Sequence, residues 1–447
     1  MSWTYRCVAA GAILTAGLLG PAVTATAATP QAVSTMTTLS ASSTSVIQNS
    51  PVTFTATVSA ASGTPAGSVI FTDKSNGSIL DKVTLSHGSA TFVTAALAPG
   101  SRAIAARYTG NASFAPSTSA KRGVSVTTSG SEATAYQVDS RHDGDQPASL
   151  SVSTLARKWH VSPGGSASGA VSYPVAAAGQ VFVTVANQGS YGTRLFALSA
   201  RTGATEWSAG LGGLYYFSAL TYDGRTVFAL NYDGVLTAFA AATGHELWSA
   251  QMPGQSAFTA PPTAYDGVVY VSGAGIGGTV YAVSEADGAV RWQRPVMNGD
   301  ESSPAVDDSG AYVSYVCNQD YRFRLGGALA WHHQTGCEGG GGSTPLLRGG
   351  SLYARGSYPD TAVILSAASG ASTGSFASLT APADNGTDLF TMQNGDLVAV
   401  DKSGSPDRWQ FGTGSLVTAP VVSGGIVFAG SSSGTVYGVS ASTGKKV

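Results

Sequence analysis

Six stretches of this chain end alike: a short apolar strand, a Gly-centred turn, then an aromatic residue, usually Trp. They run from Leu195 through Thr202-Gly203 to Trp207, from Leu236 through Thr243-Gly244 to Trp248, and from Val280 through Asp287-Gly288 to Trp292. A fourth runs from Gly327 to Trp331, and two weaker copies run from Ser369-Gly370 to Phe376 and from Leu397 through Gly404 to Trp409. The first four tryptophans are spaced 207 to 248, 248 to 292 and 292 to 331, that is 41, 44 and 39 residues apart. A period of about 42 residues marks one supersecondary unit repeated in tandem, and this constrains the fold before any residue chemistry is considered.

Within one unit, Pro261-Pro262-Thr263 opens a strand, Asp266-Gly267 makes a turn, and Val268 to Val271 is β-branched and aromatic, as strands prefer. Gly273 to Gly278 reads as a loop, Thr279 to Ser284 as a third strand, and Ala289 to Gln293, with Trp292, as a fourth. Four strands joined by Gly turns form a small antiparallel sheet that is apolar on both faces. Radial packing of the copies buries those faces, so the pattern predicts a β-propeller. The strand openings at Tyr173-Pro174-Val175, Ser218-Ala219-Leu220, Pro261-Pro262-Thr263, Ser303-Pro304-Ala305, Thr344-Pro345-Leu346, Ala381-Pro382-Ala383 and Ala419-Pro420-Val421 predict seven blades. The seventh ends at Thr443-Gly444-Lys445-Lys446-Val447 without a Trp, whereas Arg157-Lys158-Trp159-His160 precedes the first blade. The strand around Trp159 is therefore expected to pair onto the last blade and close the ring, which removes an aggregation-prone edge. The alternative is a missing eighth blade.

Residues 1–28 carry one Arg, an apolar run from Val8 to Val23 and small residues at Ala25-Thr26-Ala27, so they read as a secretory signal cleaved near Ala27 or Ala28. Cys7 lies in the charged end, so no lipid anchor is expected, and no later apolar run is long enough to span a membrane. Only 11% of residues are charged, against roughly 25% in an average soluble chain. A net charge of −2 provides no basic surface for nucleic acid. Cys317 and Cys337 are an even pair in an exported chain, placed after a second and a fourth strand of blade four and so on one face of it. They are expected to form a disulfide worth about 3 kcal/mol, with two structural thiols as the alternative.

Residues 36–127 read differently. Val52, Phe54, Ala56 and Val58 alternate with Thr53, Thr55 and Thr57, and further alternating runs follow at Val69 to Thr72, Lys82 to Leu85, Ala90 to Val93 and Ala103 to Tyr108. This predicts an immunoglobulin-like β-sandwich without cysteines. Gly63-Thr64-Pro65-Ala66-Gly67, Gly88-Ser89-Ala90-Thr91-Phe92 and Tyr108-Thr109-Gly110-Asn111 resemble the bacterial Ig-like repeat family, which implies a spacer or adhesion role. Residues 128–154 read as a linker, flexible where Ser, Thr and Gly dominate. Within it, Tyr136 to Asp139 and His142-Asp143-Gly144 are expected to form a small polar turn capping the ring rather than a metal site.

From residue 155 to 447 the repeats, typified by Ala240-Ala241-Ala242-Thr243-Gly244-His245-Glu246-Leu247-Trp248, resemble the pyrroloquinoline-quinone-like (PQQ-like) propeller family. The resemblance implies that Trp159, Trp207, Trp248, Trp292, Trp331 and Trp409 are structural and dock neighbouring blades. Most proteins with this repeat hold no cofactor. The alcohol dehydrogenases among them have eight blades, a disulfide between adjacent cysteines, Ca²⁺ and a catalytic Asp. This chain has seven predicted blades and no adjacent cysteines, so no PQQ, other cofactor or metal is expected, and no catalytic residue is assigned. Neither a Gly-x-Ser-x-Gly elbow nor a His-Glu-x-x-His zinc helix occurs.

A binding site is expected on the face formed by the second-to-third-strand loops and the fourth-strand exits. That face gathers Tyr191, Tyr215, Tyr216, Phe217 and Phe258 with Asp300, Glu301, His332, His333, Glu338, Tyr358 and Asp360. A glycan or peptide could stack on the tyrosines. A metal at His332 and His333 is disfavoured because neighbours on a strand point to opposite faces. Ordinary solvated turns are the remaining reading. The expectation is an exported, monomeric, non-catalytic binding or scaffold protein whose partner is a glycan, peptide or envelope protein. The alternative is a quinone- or metal-dependent oxidoreductase using the propeller axis.

Overall fold

The computed structural model describes residues 32–47, 51–98, 100–127, 132–146, 156–165, 171–187, 189–215, 217–335, 341–356, 362–402 and 408–447. The expected signal segment lies outside them. The chain divides into two units, the larger including Val124–Val447.

In the smaller unit, alternation along Val52–Ala60 buries Val52, Phe54, Ala56 and Val58 to 2% exposure or less. That strand lies between Thr35–Ala41 and Ser89–Thr94 in one sheet. The other sheet runs Ser45–Ile47, Arg122–Thr127, Gly100–Tyr108, Ser68–Asp73, Ile79–Thr84. Phe92 of the first sheet packs on Phe71 of the second with ring centroids 5.5 Å apart, which closes an all-β sandwich.

The larger unit holds seven four-stranded sheets among the described residues. Blade 1 is Val175–Ala177, Gln180–Ala186, Thr193–Ser199 and Thr205–Gly212. The inner strands of blades 2 to 7 are Ser218–Asp223, Thr263–Tyr265, Ala305–Asp307, Leu346–Arg348, Ala383–Asp384 and Val421–Ser423.

Five of the seams between consecutive blades repeat one contact. The indole N–H of Trp207 donates to the Ala241 carbonyl of the next blade at 2.7 Å, and Trp248, Trp292, Trp331 and Trp409 do the same to Glu285, Leu325, Ala367 and Ala441. The ring lies flat on a turn glycine of that blade. A Cβ at Gly244, Gly288, Gly327, Gly370 or Gly444 would meet the indole at 2.5–2.8 Å, and each has φ between 69 and 84°. The Gly is thus required twice, for its left-handed backbone and for room beneath the ring. Blades 1 to 4 and 6 carry Trp at this position, whereas blade 5 carries Phe376.

Trp159 makes the same contact on blade 1, donating to the Ala200 carbonyl at 3.0 Å and lying against Gly203. Its segment is not the closing strand that was expected. Residues 156–162 carry no strand. The outer edge of Val436–Ser440 is taken by the chain's own C-terminus, where Lys446 bridges Val439 and the Val447 N–H donates to Gly438 at 2.9 Å. The N-terminal piece that does join blade 7 is Asp145–Gln146, parallel to Val421–Ser423 on its inner edge.

The expected linker must be corrected accordingly, because residues 133–146 fill the ring axis. Each inner strand turns one backbone N–H toward the axis at an equivalent register position: Ala176, Tyr222, Ala264, Val306, Leu347, Asp384 and Val422. Six of these donate to plug carbonyls, those of Ala133, Thr134, Ser140, Arg141, Asp143 and Gly144, at 2.6–2.9 Å. The seventh, Ala264, donates to the Thr221 hydroxyl, which itself donates to Thr134. Buried backbone donors need acceptors, and one short peptide supplies them around the ring. Turning so tightly places Gln137, Val138 and His142 at positive φ. At Gly144 a Cβ would lie 2.6 Å from that of Ala383.

The plug carries charge into the axis. Asp143 is fully buried and pairs with Arg348 at 2.8 Å and Arg141 at 3.1 Å. His142 is also fully buried, with Nε2 3.1 Å from the Thr263 hydroxyl.

Two outcomes follow. Gly244 and Gly179 both have positive φ, but only Gly244 lies under an indole, whereas nothing stands within 4 Å of a Cβ at Gly179. Gly179→Ala should cost about 1 kcal/mol of backbone strain, and Gly244→Ala about 1–3 kcal/mol more, measured by denaturant unfolding. Equal losses would remove the steric role of the seam. Burial, opposed by Asp139, holds the His142 imidazole at about 4 instead of 6.5. Between those values the unfolded chain binds a proton at this imidazole that the folded chain does not, so the stability that neutral His142 contributes is full above pH 6.5 and falls as pH drops toward 4. The fall should be up to ~3 kcal/mol and should flatten in His142→Gln. Parallel pH profiles of melting temperature would contradict this account.

Candidate functional site

The plug enters and leaves at the face of the first-to-second-strand turns. Glu132 Oε1 accepts the Ala178 N–H of such a turn at 3.0 Å, and Gln146 Nε2 donates to the Glu132 carbonyl. At the other end Tyr136 meets Tyr173 edge-on, with centroids 5.2 Å apart. The opposite, loop face is therefore the one left to the long connections, and the expected site residues belong to it.

Tyr191 and Tyr215 come together there, with ring centroids 6.3 Å apart and 63% and 52% exposure. Tyr215 also lies 4.4 Å from the Tyr232 ring, a partner that sequence reasoning missed. The Gly192 N–H donates to the Tyr215 carbonyl at 3.1 Å, joining the two loops. Asp233 accepts the Leu214 N–H at 3.0 Å, which fixes the loop ahead of Tyr215. Leu214 and, on blade 3, Ile276 are exposed. Phe217 is half-buried, while Phe258 is fully buried against Gly234 and Gly273 and belongs to the core.

The later candidates form separate groups. Asp300 accepts the Thr259 hydroxyl, which in turn accepts the Glu301 N–H at 3.2 Å, so these acids order a loop between blades 3 and 4. His332 stacks on Tyr321 at 4.0 Å and shares a hydrogen bond with Gln319 at 2.8 Å. Burial, and then His333, hold its imidazole below the ordinary range. In register His332 faces Tyr321 and His333 faces Asp320, so the two imidazoles lie on opposite sides of the strand. Among the described residues no group of three or more His, Cys, Asp or Glu is placed to hold a metal ion.

Tyr216, Cys337, Glu338, Tyr358 and Asp360 lie outside the described residues. Cys317 sits at positive φ in a turn, and its carbonyl accepts the N–H and hydroxyl of Thr335, two residues before Cys337.

A cavity of about 340 Å³ opens on the turn face beside the plug, lined by Arg141, Tyr312, Arg322, Leu347 and Arg348. Its guanidinium groups are engaged, Arg322 with the carbonyls of Ser309, Ala367 and Ala368, and Arg348 with Asp143 and Asp145. Among the described residues no helix is long and apolar enough to cross a membrane.

Comparison with known proteins agrees with this geometry. Residues 39–128 match the bacterial Ig-like domain (group 3), and residues 148–372 and 321–447 match outer membrane protein assembly factor BamB. The tetrathionate hydrolase of Acidithiobacillus ferrooxidans is 28% identical over 182 residues, covering 35% of this chain and 36% of that protein. The chain thus spans about a third of that curated relative's length. A quinohemoprotein alcohol dehydrogenase from Pseudomonas putida HK5 is similar in structure, with 14% identity, a TM-score of 0.53, and coverage of 71% of this chain and 72% of that one. A europium-containing methanol dehydrogenase gives 14%, 0.54, 71% and 85%. At such identities the likeness is one of fold. By the match that spans its whole ring, the chain belongs to the BamB family of PQQ-like propeller proteins, and residues 39–128 are a bacterial Ig-like domain.

Proposed function

We propose that this is an exported, non-catalytic binding or scaffold protein of the cell envelope or its exterior, in which an Ig-like spacer carries a propeller that meets a glycan, peptide or envelope protein. The observation that carries this reading is the division of labour in the ring. The axis is filled by the chain's own residues 133–146, whereas the exposed aromatic group of Tyr191, Tyr215 and Tyr232 lies on the loop face. Exposed rings beside fixed polar backbone suit stacking on a sugar or packing against an apolar side chain. The leader-like N-terminus and the family's description as an outer membrane assembly factor support the location and the role. The expected Cys317–Cys337 disulfide would tie down the blade 4 loops on that same face.

The residues at the axis do not fit a quinone. The inner-strand N–H groups that face it are taken by the plug, so no step is derived through that cofactor. A second reading, an extracellular enzyme, is favoured by the partial likeness to tetrathionate hydrolase.

Full-length protein should bind one class of ligand on a glycan array or in an envelope-extract pull-down. Tyr215→Ala and Tyr191→Ala should each weaken that binding by roughly tenfold or more, as for a central aromatic anchor. Unchanged binding would remove the proposed face. Dye reduction after incubation with pyrroloquinoline quinone and Ca²⁺, or turnover of tetrathionate, would overturn the non-catalytic reading.

A further inference from the structure

Among the described residues of the propeller, four carboxylates are buried: Asp143, Asp320, Asp384 and Asp388. Three have cationic partners, Asp143 with Arg348 at 2.8 Å, Asp384 with Lys402 at 2.6 Å and Asp388 with Arg408 at 2.8 Å. Asp320, in strand Gln319–Phe323 of blade 4, is fully buried and has no cation within ion-pair distance among the described residues. Neither of its oxygens has a hydrogen-bond partner. His333, its register neighbour, makes no ion pair with it among the described residues.

Two other residues of its hairpin carry oxygens in the same state. Ser314 faces Asp320 across the neighbouring strand, and its hydroxyl is buried without a hydrogen-bond partner. Burial pushes the Asp320 carboxyl up to about 7, and the Ser314 hydroxyl opposes that rise without meeting the geometry of a hydrogen bond. Asn318, two positions before Asp320 in the turn that carries Cys317, adds a buried side-chain carbonyl that also lacks a partner. Four buried oxygens from three residues thus stand unsatisfied in one hairpin. An unpartnered buried carboxylate costs several kcal/mol, and native proteins rarely leave such groups in clusters.

We infer that the Ser314–Asn318–Asp320 hairpin of blade 4 is a cation site, and that calcium is its ion. The donors are all oxygen: a carboxylate, a hydroxyl and an amide carbonyl. Such donors select hard cations over zinc or copper. A single carboxylate gives a weak site, with Kd on the order of 10⁻⁴–10⁻³ M, the range of extracellular calcium modules. Binding would neutralise Asp320 and order the turn that carries Cys317.

The test uses the full chain, freed of metal with EDTA and dialysed. In about 5 mM calcium the wild-type melting temperature should rise by ~3 °C, and magnesium or sodium should raise it less. Titration calorimetry should show one calcium per chain. Asp320→Asn should lose both responses and should melt no lower than wild type in EDTA, because it removes an uncompensated charge. If that variant fails to fold, Ser314→Ala should reduce calcium affinity several-fold. Absence of calcium heat and thermal shift in wild type would overturn the site, as would a full response in Asp320→Asn or Ser314→Ala. An EDTA-insensitive wild type that melts below Asp320→Asn would mean that a proton, not a metal ion, neutralises the carboxyl, and it would overturn the site equally.

Discussion

Seven inner strands line the ring axis, and each turns one backbone donor toward it at an equivalent register position. That constraint governs the molecule. A ring of such donors must be met by acceptors, and here one peptide of 14 residues turns six carbonyls outward like spokes. The peptide accepts strain to do so, holding the β-branched Val138 at a φ of 79°. Strain of about 1–3 kcal/mol at such a residue persists only where the surroundings over-determine it, and the six outward hydrogen bonds do so. The plug therefore belongs to the propeller's core although it precedes the first blade in sequence.

The second constraint is the seam. Apolar sheets packed side by side slide unless something fixes their phase, and the Trp–Gly contact fixes it. The indole needs a flat floor and one carbonyl, and the left-handed turn of the next blade offers both. The same logic explains the unusual closure. Trp159, which precedes the first blade, occupies the equivalent position against blade 1 without forming a strand. Side-chain docking and strand pairing, coupled in the other blades, are separated there.

Much of the candidate site was visible as residue types but not as groups. Tyr191 sits in a loop within blade 1 and Tyr215 in the link from blade 1 to blade 2, and the repeat phase alone placed them on one face. Tyr232 joined them unforeseen, because it occupies a hairpin position where an aromatic residue reads equally well as core. Phe258 shows the opposite error, since it lies in a blade-to-blade link yet fills the space that Gly234 and Gly273 leave open. Asp320 carried no signal, because a single acid within an alternating strand reads as solvent-facing until its neighbours are known.

Local chemistry along the chain determined the repeat, the blade count, the Gly turns and the sandwich that precedes them, since periodicity and turn preference act over a few residues. The alternation that buried Val52, Phe54, Ala56 and Val58 is a property of one strand and needed no partner to be read. Only the tertiary structure decided what fills the axis, which segment closes blade 7 and which carboxylate goes without a counter-ion. These depend on contacts between distant segments, some more than two hundred residues apart, such as Gly144 with Val422 or Arg348 with Asp143. No spacing in the sequence encodes such pairs, because they exist only once the ring has brought its ends together.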